Sequence, residues 1–124
     1  METNLQWDGA VKKLLADTKS GAQKWAPIEL GRDNIVGLGF MTRAMDRNIA
    51  IYEFAYHHYD YFGTGTGVGT GNAYTTSTAA AIEFVDNLGT LLFRWPKTPA
   101  SFELLEAVRY SATDAKGFLD SFLK

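Results

Sequence analysis

Residues 49–62, IAIYEFAYHHYDYF, restrict the fold of this chain more than any other segment. Aromatic and β-branched residues crowd this segment, which favours a strand over a helix. Ile51 and Tyr59 would lie on one face of the strand, and Tyr52 and Phe54 on the other, so both faces are largely apolar. Antiparallel strands with one solvated face normally alternate apolar and polar residues. We therefore expect this strand at the centre of an antiparallel sheet that is covered on both faces.

A helix is predicted before the sheet, over residues 4–20, where apolar residues recur at helical spacing. Thr3 and Gln6 are placed for a capping box, and Gly21 is placed to end the helix in a left-handed conformation. The ring of Pro27 keeps the residue before it out of the α region. The chain is therefore expected to leave the helix in an extended form.

Three further strands are predicted from period-two patterns and turn residues. Residues 34–43 alternate and are joined to the central strand by a turn at residues 45–48. The last two strands, at residues 80–85 and 90–95, are separated by a turn at residues 87–89. With the central strand they make a four-stranded antiparallel meander.

Two helices are predicted at the C-terminal end. Thr98 as N-cap and Pro99 at the first helical position open the first, and residues 111–114 provide a break and a second cap. The apolar residues expected to face inward from the first helix are Phe102, Leu104, Leu105 and Val108. Those that line the final short helix are Phe118, Leu119, Phe122 and Leu123. The predicted fold is α+β, with an N-terminal helix and a C-terminal helical pair packed on one face of the sheet.

Length, charge and cysteine content narrow the class of protein. The 124 residues fit a single domain, 1–124, because domains most often contain about 100–150 residues. A net charge of −2 provides no field that attracts duplex nucleic acid. No segment has the about 20 apolar residues that cross a bilayer, so we expect no membrane partner and a cytoplasmic location. The absence of cysteine excludes disulfides, thiolate metal sites and cysteine nucleophiles.

The order of elements, together with one short motif, resembles a group of small bacterial and phage α+β accessory domains. The motif is L-L-x-x-T-x-x-G-x-x-x-W, which runs here from Leu14 to Trp25. The resemblance covers most of the chain, but this sequence departs from it in the Gly/Thr-rich residues 63–72 and in the aromatic density of residues 49–62. The resemblance implies an accessory or interaction protein and brings no catalytic residues with it.

Residues 63–72, GTGTGVGTGN, are expected to form a loop or hairpin tip. The spacing of the glycines does not match a dinucleotide fingerprint, and no Gly-Lys-Ser/Thr follows, so a phosphate-binding loop is not favoured. In an extended conformation the side chains of Thr66, Val68 and Thr70 would all project to one face. That ribbon could lie flat against a partner, since loops on a rigid scaffold often carry binding residues.

The two histidines, His57 and His58, are adjacent, so in a strand they point to opposite faces and cannot bind one metal ion together. His58 with Asp60 could act as an acid/base pair, but no nucleophile accompanies them. We therefore expect no metal, no cofactor and no enzymatic activity.

The aromatic strand itself supports three alternatives. Its rings could all pack inside the core; they could form a protein interface, where tyrosine is enriched; or they could stack against a small ligand. We favour the interface, in a non-enzymatic bacterial or phage protein that inhibits a defence system or acts as an immunity protein, and that forms a homodimer. The second choice is a nucleotide-type ligand held by the strand and the Gly/Thr segment. The predicted binding residues are Tyr52, Phe54, Tyr56, His58, Tyr59, Tyr61, Thr66, Val68 and Thr70.

Overall fold

The computed structural model describes residues 3–59 and 74–124. It confirms the α+β class and has an antiparallel sheet with the strands in chain order. The elements are α1 (Asn4–Ser20), β1 (Ala26–Ile28), β2 (Ile35–Ala44), β3 (Arg47–Tyr59), β4 (Tyr74–Val85), β5 (Leu91–Arg94), α2 (Ser101–Ala112) and α3 (Ala115–Phe122).

The sheet has five strands, so the prediction of four strands was wrong. The additional strand is β1, which pairs with β2 from Ala26 opposite Met41 to Ile28 opposite Gly39. The extended conformation that Pro27 favours is also a strand conformation, and the missing N–H of proline is tolerated at the edge of a sheet. The central position of the aromatic strand is confirmed, because β3 lies between β2 and β4.

Local turn and cap signals correctly predicted the ends of α1 and the turns that join β2 to β3 and β4 to β5. The loop or hairpin tip predicted at residues 63–72 lies outside the described residues. Thr3 and Gln6 form the capping box, and Gly21 ends α1 with a φ of 84°. The turn between β2 and β3 places Met45 and Asp46 at φ values of 51° and 62°, the left-handed pair that a tight hairpin turn needs. These signals act within a few residues, which is why the sequence alone was sufficient to find them.

The start of α2 differs from the prediction. The helix begins at Ser101, its N-cap is Ala100, and no side chain caps it. Thr98 instead lies one turn earlier, where its carbonyl accepts from Ser101 N at 3.2 Å and its hydroxyl contacts that of Ser101 at 3.1 Å. Phe102 is exposed rather than inward-facing, because the buried stripe of α2 is Ser101, Leu104, Leu105 and Val108.

The two faces of the sheet are covered differently. One face, called here the helix face, packs on α1 and α2 through a core that includes Val11, Leu104 and Ile51. The opposite face, called here the far face, is partly covered by residues 29–34, the connection between β1 and β2. Leu30 from this connection is buried against Gly39, where a Cβ atom would overlap its side chain. The connection between β1 and β2 thus supplies part of the cover that the two apolar faces of the central strand predicted.

Helix α3 packs less closely than predicted. Asp114 caps it by accepting from Gly117 N at 3.3 Å, as the break in the sequence indicated. However, none of its residues is buried. The exposed apolar side chains of α3 are Phe118, Leu119 and Phe122, and Leu123, which follows the helix, is exposed as well. Among the described residues, no helix is both long and apolar enough to span a membrane.

Candidate functional site

Three aromatic side chains follow one another along the far face of β3. Tyr52, Phe54 and Tyr56 occupy alternate positions of the strand and therefore share a face. The ring centroids of Tyr52 and Phe54 are 6.3 Å apart, and those of Phe54 and Tyr56 are 5.9 Å apart. Exposure rises along this aromatic row, from 1% at Tyr52 through the partly buried Phe54 to 36% at Tyr56. The row therefore begins in the core and ends at the surface.

A buried carboxylate anchors the inner end of the aromatic row. Glu83 on β4 is inaccessible to solvent. Its Oε1 accepts from Arg32 Nε at 3.1 Å and from Arg32 Nη2 at 2.8 Å. Its Oε2 accepts from Arg94 Nε at 3.1 Å, from Arg94 Nη2 at 2.9 Å and from the Tyr52 hydroxyl at 2.6 Å. The carboxylate is fully hydrogen-bonded, which is the condition for burying a charge without a large penalty.

The surroundings determine the protonation states of this network. Burial alone would raise the pKa of Glu83, but hydrogen bonds from Arg32, Tyr52 and Arg94 outweigh it and hold that pKa below its ordinary value. Burial and the hydrogen bond to Glu83 raise the pKa of Tyr52 to about 12. At neutral pH the network therefore holds an anionic carboxylate, a neutral phenol and two guanidinium groups. It carries an excess positive charge.

Arg94 brings that positive charge to the surface. Its side chain is 51% exposed, whereas that of Arg32 is 15% exposed. The guanidinium carbon of Arg94 lies 5.8 Å from the centroid of the Phe54 ring, within range of a cation–π contact. Nε and Nη2 are used within the network, and the described residues provide no acceptor for Nη1. Arg94 is thus a rigidly held cation beside the aromatic row.

A cavity of about 220 Å³ lies next to Arg94, at the outer edge of β4. Phe54 and Arg94 line it from the far face, and Trp95 and Ser101 line it from the helix side. Lys97, which is exposed, adds a second cation. The cavity therefore combines an aromatic ring with positive charge.

Two larger cavities lie on the helix side. One, of about 800 Å³, is bordered by α1 and α2 and includes Lys19 and Tyr110. The other, of about 510 Å³, is lined by Trp7, Phe84 and Trp95. Neither contains a residue of the predicted binding surface.

The structure places the predicted binding residues in several environments. Tyr52 is buried, and Phe54 and Tyr56 form the outward part of the aromatic row. His57, which was not among the predicted binding residues, lies on the helix face, where its Nδ1 is 3.0 Å from the Thr76 hydroxyl. The structure describes the backbone of His58 and Tyr59 but not their side chains. The remaining predicted positions lie wholly outside the described residues: Tyr61, Thr66, Val68 and Thr70. Within residues 3–59 and 74–124, no cluster of three or more His, Asp or Glu side chains could hold a metal ion.

Sequence reasoning missed Arg32, Glu83 and Arg94. One signal was present: Glu83 interrupts the apolar run AAAIEFV at a position that alternation places on a covered face. A charge there requires a partner, but nothing local identifies Arg32, which lies 51 residues away along the chain. Comparisons of the chain with protein-family models, with curated proteins and with solved structures found no match.

Proposed function

We propose that this chain is a non-enzymatic protein-binding accessory protein that uses the outer part of the aromatic row as its contact surface. The observation that carries the proposal is the arrangement of Phe54, Tyr56 and Arg94 on the far face: two aromatic rings and a cation, held by a buried ion-pair network. Aromatic residues and arginine are the types enriched where interfaces bind most strongly.

Preorganisation supports the same proposal. Arg94 is held by hydrogen bonds to Glu83 and to the Tyr52 hydroxyl, so little side-chain entropy remains to be lost when a partner binds. Glu83 is inaccessible and has both oxygens occupied, so the network is suited to positioning Arg94 rather than to transferring a proton to a ligand. A surface that acts by occupying a partner needs no catalytic group.

The biological role follows the sequence resemblance. Within the proposal, the chain is of bacterial or phage origin and acts as an inhibitor of a defence system or as an immunity protein in the cytoplasm. It also forms a homodimer through the far face, since part of that face remains accessible beyond the connection at residues 29–34. Genes next to that of this chain provide the candidate partners for the test.

The test compares Tyr56→Ser with Tyr110→Ser. Tyr110 is 49% exposed on α2, so the control removes an equivalent side chain from another surface. We expect light scattering to give a dimer mass for the wild type and the control and a smaller mass for Tyr56→Ser. We also expect Tyr56→Ser to bind a purified partner more weakly than the wild type and the control do. Unchanged mass and unchanged partner binding in a folded Tyr56→Ser variant would remove the aromatic row from the proposal.

A small anionic ligand is the second candidate. The cavity beside Phe54, Arg94 and Lys97 favours it, because an aromatic ring and two cations suit a base and a phosphate. A ligand that binds the folded state raises its apparent stability, so a panel of nucleotides is screened by thermal unfolding. A shift that Lys97→Glu removes supports this alternative, and no shift across the panel rejects it.

A further inference from the structure

We infer that the outer edge of β4, at residues 76–81, takes an extended acidic segment of a partner protein as an additional strand of the sheet. The inference rests on the proposed protein-binding function and names the chemistry of the partner.

The pairing of β5 with β4 ends early. Their register runs from Val85 opposite Leu91 to Glu83 opposite Arg94, and the last bond is from Trp95 N to Ile82 O at 2.8 Å. Pro96 follows, which has no N–H to continue the ladder. From there the chain continues to α2, and β4 extends beyond its neighbour.

The free edge has hydrogen-bonding groups that point outward. In an antiparallel ladder, the backbone groups of alternate residues face the same neighbour. Ile82 faces β5, so Ala80, Thr78 and Thr76 also direct their N–H and C=O groups to the outer side. In the described part of the chain, no backbone hydrogen bond reaches these groups. A strand that adds here would continue the sheet.

The edge lacks the features that proteins use to block strand addition. Exposed edges are normally protected by a charged residue, a proline, a bulge or short length. Residues 76–81 are TSTAAA, and their pairing with β3 is regular. At the opposite edge of the sheet, β1 is three residues long and contains Pro27. Along the edge of β4, Thr76 and Thr78 are exposed and Ala80 is partly buried, so this edge is open towards Thr76.

Charge determines the type of segment. Arg94 and Lys97 line the cavity where the edge begins, and Arg32 and Arg94 together outweigh the single negative charge of Glu83. The chain as a whole has a net charge of −2, so this positive edge is a local feature. A second copy of the chain would present the same Thr, Ser and Ala residues, with no carboxylate to match the cations. An extended segment with Asp or Glu side chains matches them.

The experiment uses a short synthetic peptide of alternating valine and glutamate, and the same peptide with glutamine in place of glutamate. Binding is followed by NMR of the isotope-labelled full chain. We expect saturable shifts of the Thr76, Thr78 and Ala80 amides with the glutamate peptide, and an affinity about fivefold lower with the glutamine peptide, since partly exposed ion pairs contribute modestly. No saturable shift with the glutamate peptide, or equal affinity for both peptides, overturns the inference.

Two matched pairs of variants locate the contact. Thr78→Pro removes the outward N–H, whereas Thr78→Ala removes the side chain and keeps the N–H; we expect the first to weaken binding about tenfold relative to the second. Lys97→Glu reverses a charge at the edge, and Lys24→Glu makes the same change beside β1. If Thr78→Pro does not fold, the two lysine variants still test the inference, because Lys97→Glu must weaken peptide binding more than Lys24→Glu does.

The outcomes separate this inference from the proposed function. Strand addition is overturned if Thr78→Pro folds and binds the glutamate peptide as tightly as Thr78→Ala. The proposed function survives that result if Tyr56→Ser still weakens partner binding. If Thr78→Pro dissociates the dimer and Tyr56→Ser does not, the edge is assigned to a second copy of the chain. That result overturns the inference that an acidic segment binds there.

Discussion

Tyr52 donates a 2.6 Å hydrogen bond from its hydroxyl to Oε2 of Glu83, and the two residues are 1% and 0% exposed. The tyrosine lies on β3 and the glutamate on β4, so the bond crosses the centre of the sheet. Because Arg94 donates to both groups, this pair fixes the position of the cation that flanks the aromatic row. The bond therefore connects the core of the sheet to its candidate binding surface.

Glu83→Gln is expected to lower the free energy of unfolding by about 3–5 kcal/mol. A glutamine amide keeps one acceptor but turns an N–H₂ group towards the donors of Arg94 or Arg32, and it leaves two guanidinium groups without their counter-charge. Chemical denaturation measures the change. The control is Glu29→Gln, at an exposed position, for which a change within about 0.5 kcal/mol is expected. Similar values for the two variants would show that the ion pairs contribute little to stability.

Acid should destabilise the protein through the same carboxylate. The pKa of Glu83 is lower in the folded state than its ordinary value, so the folded state binds its proton less readily than the unfolded state does. Its stabilisation is therefore complete above the unfolded pKa, about 4.3, and is lost as pH falls through the lower folded pKa. Denaturation at a series of pH values should show this loss in the wild type and a smaller one in Glu83→Gln. Parallel pH profiles would contradict the assignment.

At alkaline pH, Tyr52 should ionise later than an ordinary tyrosine. Its pKa is raised to about 12 in the folded state, so its contribution to stability is present below the unfolded pKa, about 10, and is lost between these values. The near-ultraviolet absorbance of phenolate should show a component that titrates late. Tyr52→Phe should remove that late component. A late component that persists in Tyr52→Phe would belong to another residue.

The parts of the fold that sequence predicted are those determined by local chemistry. The capping box at Thr3 and Gln6 and the turn at Met45 and Asp46 each involve neighbouring residues, so their residue types are sufficient evidence. Strand β1 depends on pairing with β2, and Ala26 has no feature that selects Met41 as its partner. Long-range pairing is therefore where the prediction of four strands failed.

The candidate site was predictable to a similar extent. Alternation along β3 correctly placed Phe54 and Tyr56 on one face. It could not show that Tyr52 is buried, because the cover of the far face comes from the connection that carries Leu30 and Arg32. Whether an aromatic residue packs inside or faces a partner depends on such a distant segment rather than on the strand that carries it.

Gly39→Ala tests how Leu30 covers the far face of the sheet. The added Cβ would overlap the side chain of Leu30, so the connection between β1 and β2 would have to move, at a cost of about 1–3 kcal/mol. Leu30→Ala alone should cost about 2–5 kcal/mol, but in the Gly39→Ala background it should cost less, because the overlap is then relieved. Denaturation of the double-mutant cycle measures the coupling. Additive costs would show that Leu30 and Gly39 do not press on each other.

Helix α3 should contribute little to the stability of the monomer. Phe118 and Phe122 stack with centroids 5.1 Å apart, but both are exposed and α3 has no buried residue. Phe122→Ser should therefore cost less than about 1.5 kcal/mol, the upper range for an aromatic pair. The buried Leu105 of α2 is the comparison, because Leu105→Ala should cost about 2–5 kcal/mol. If Phe122→Ser costs as much as Leu105→Ala, and the cost grows with protein concentration, then α3 is buried between copies of the chain rather than exposed to solvent.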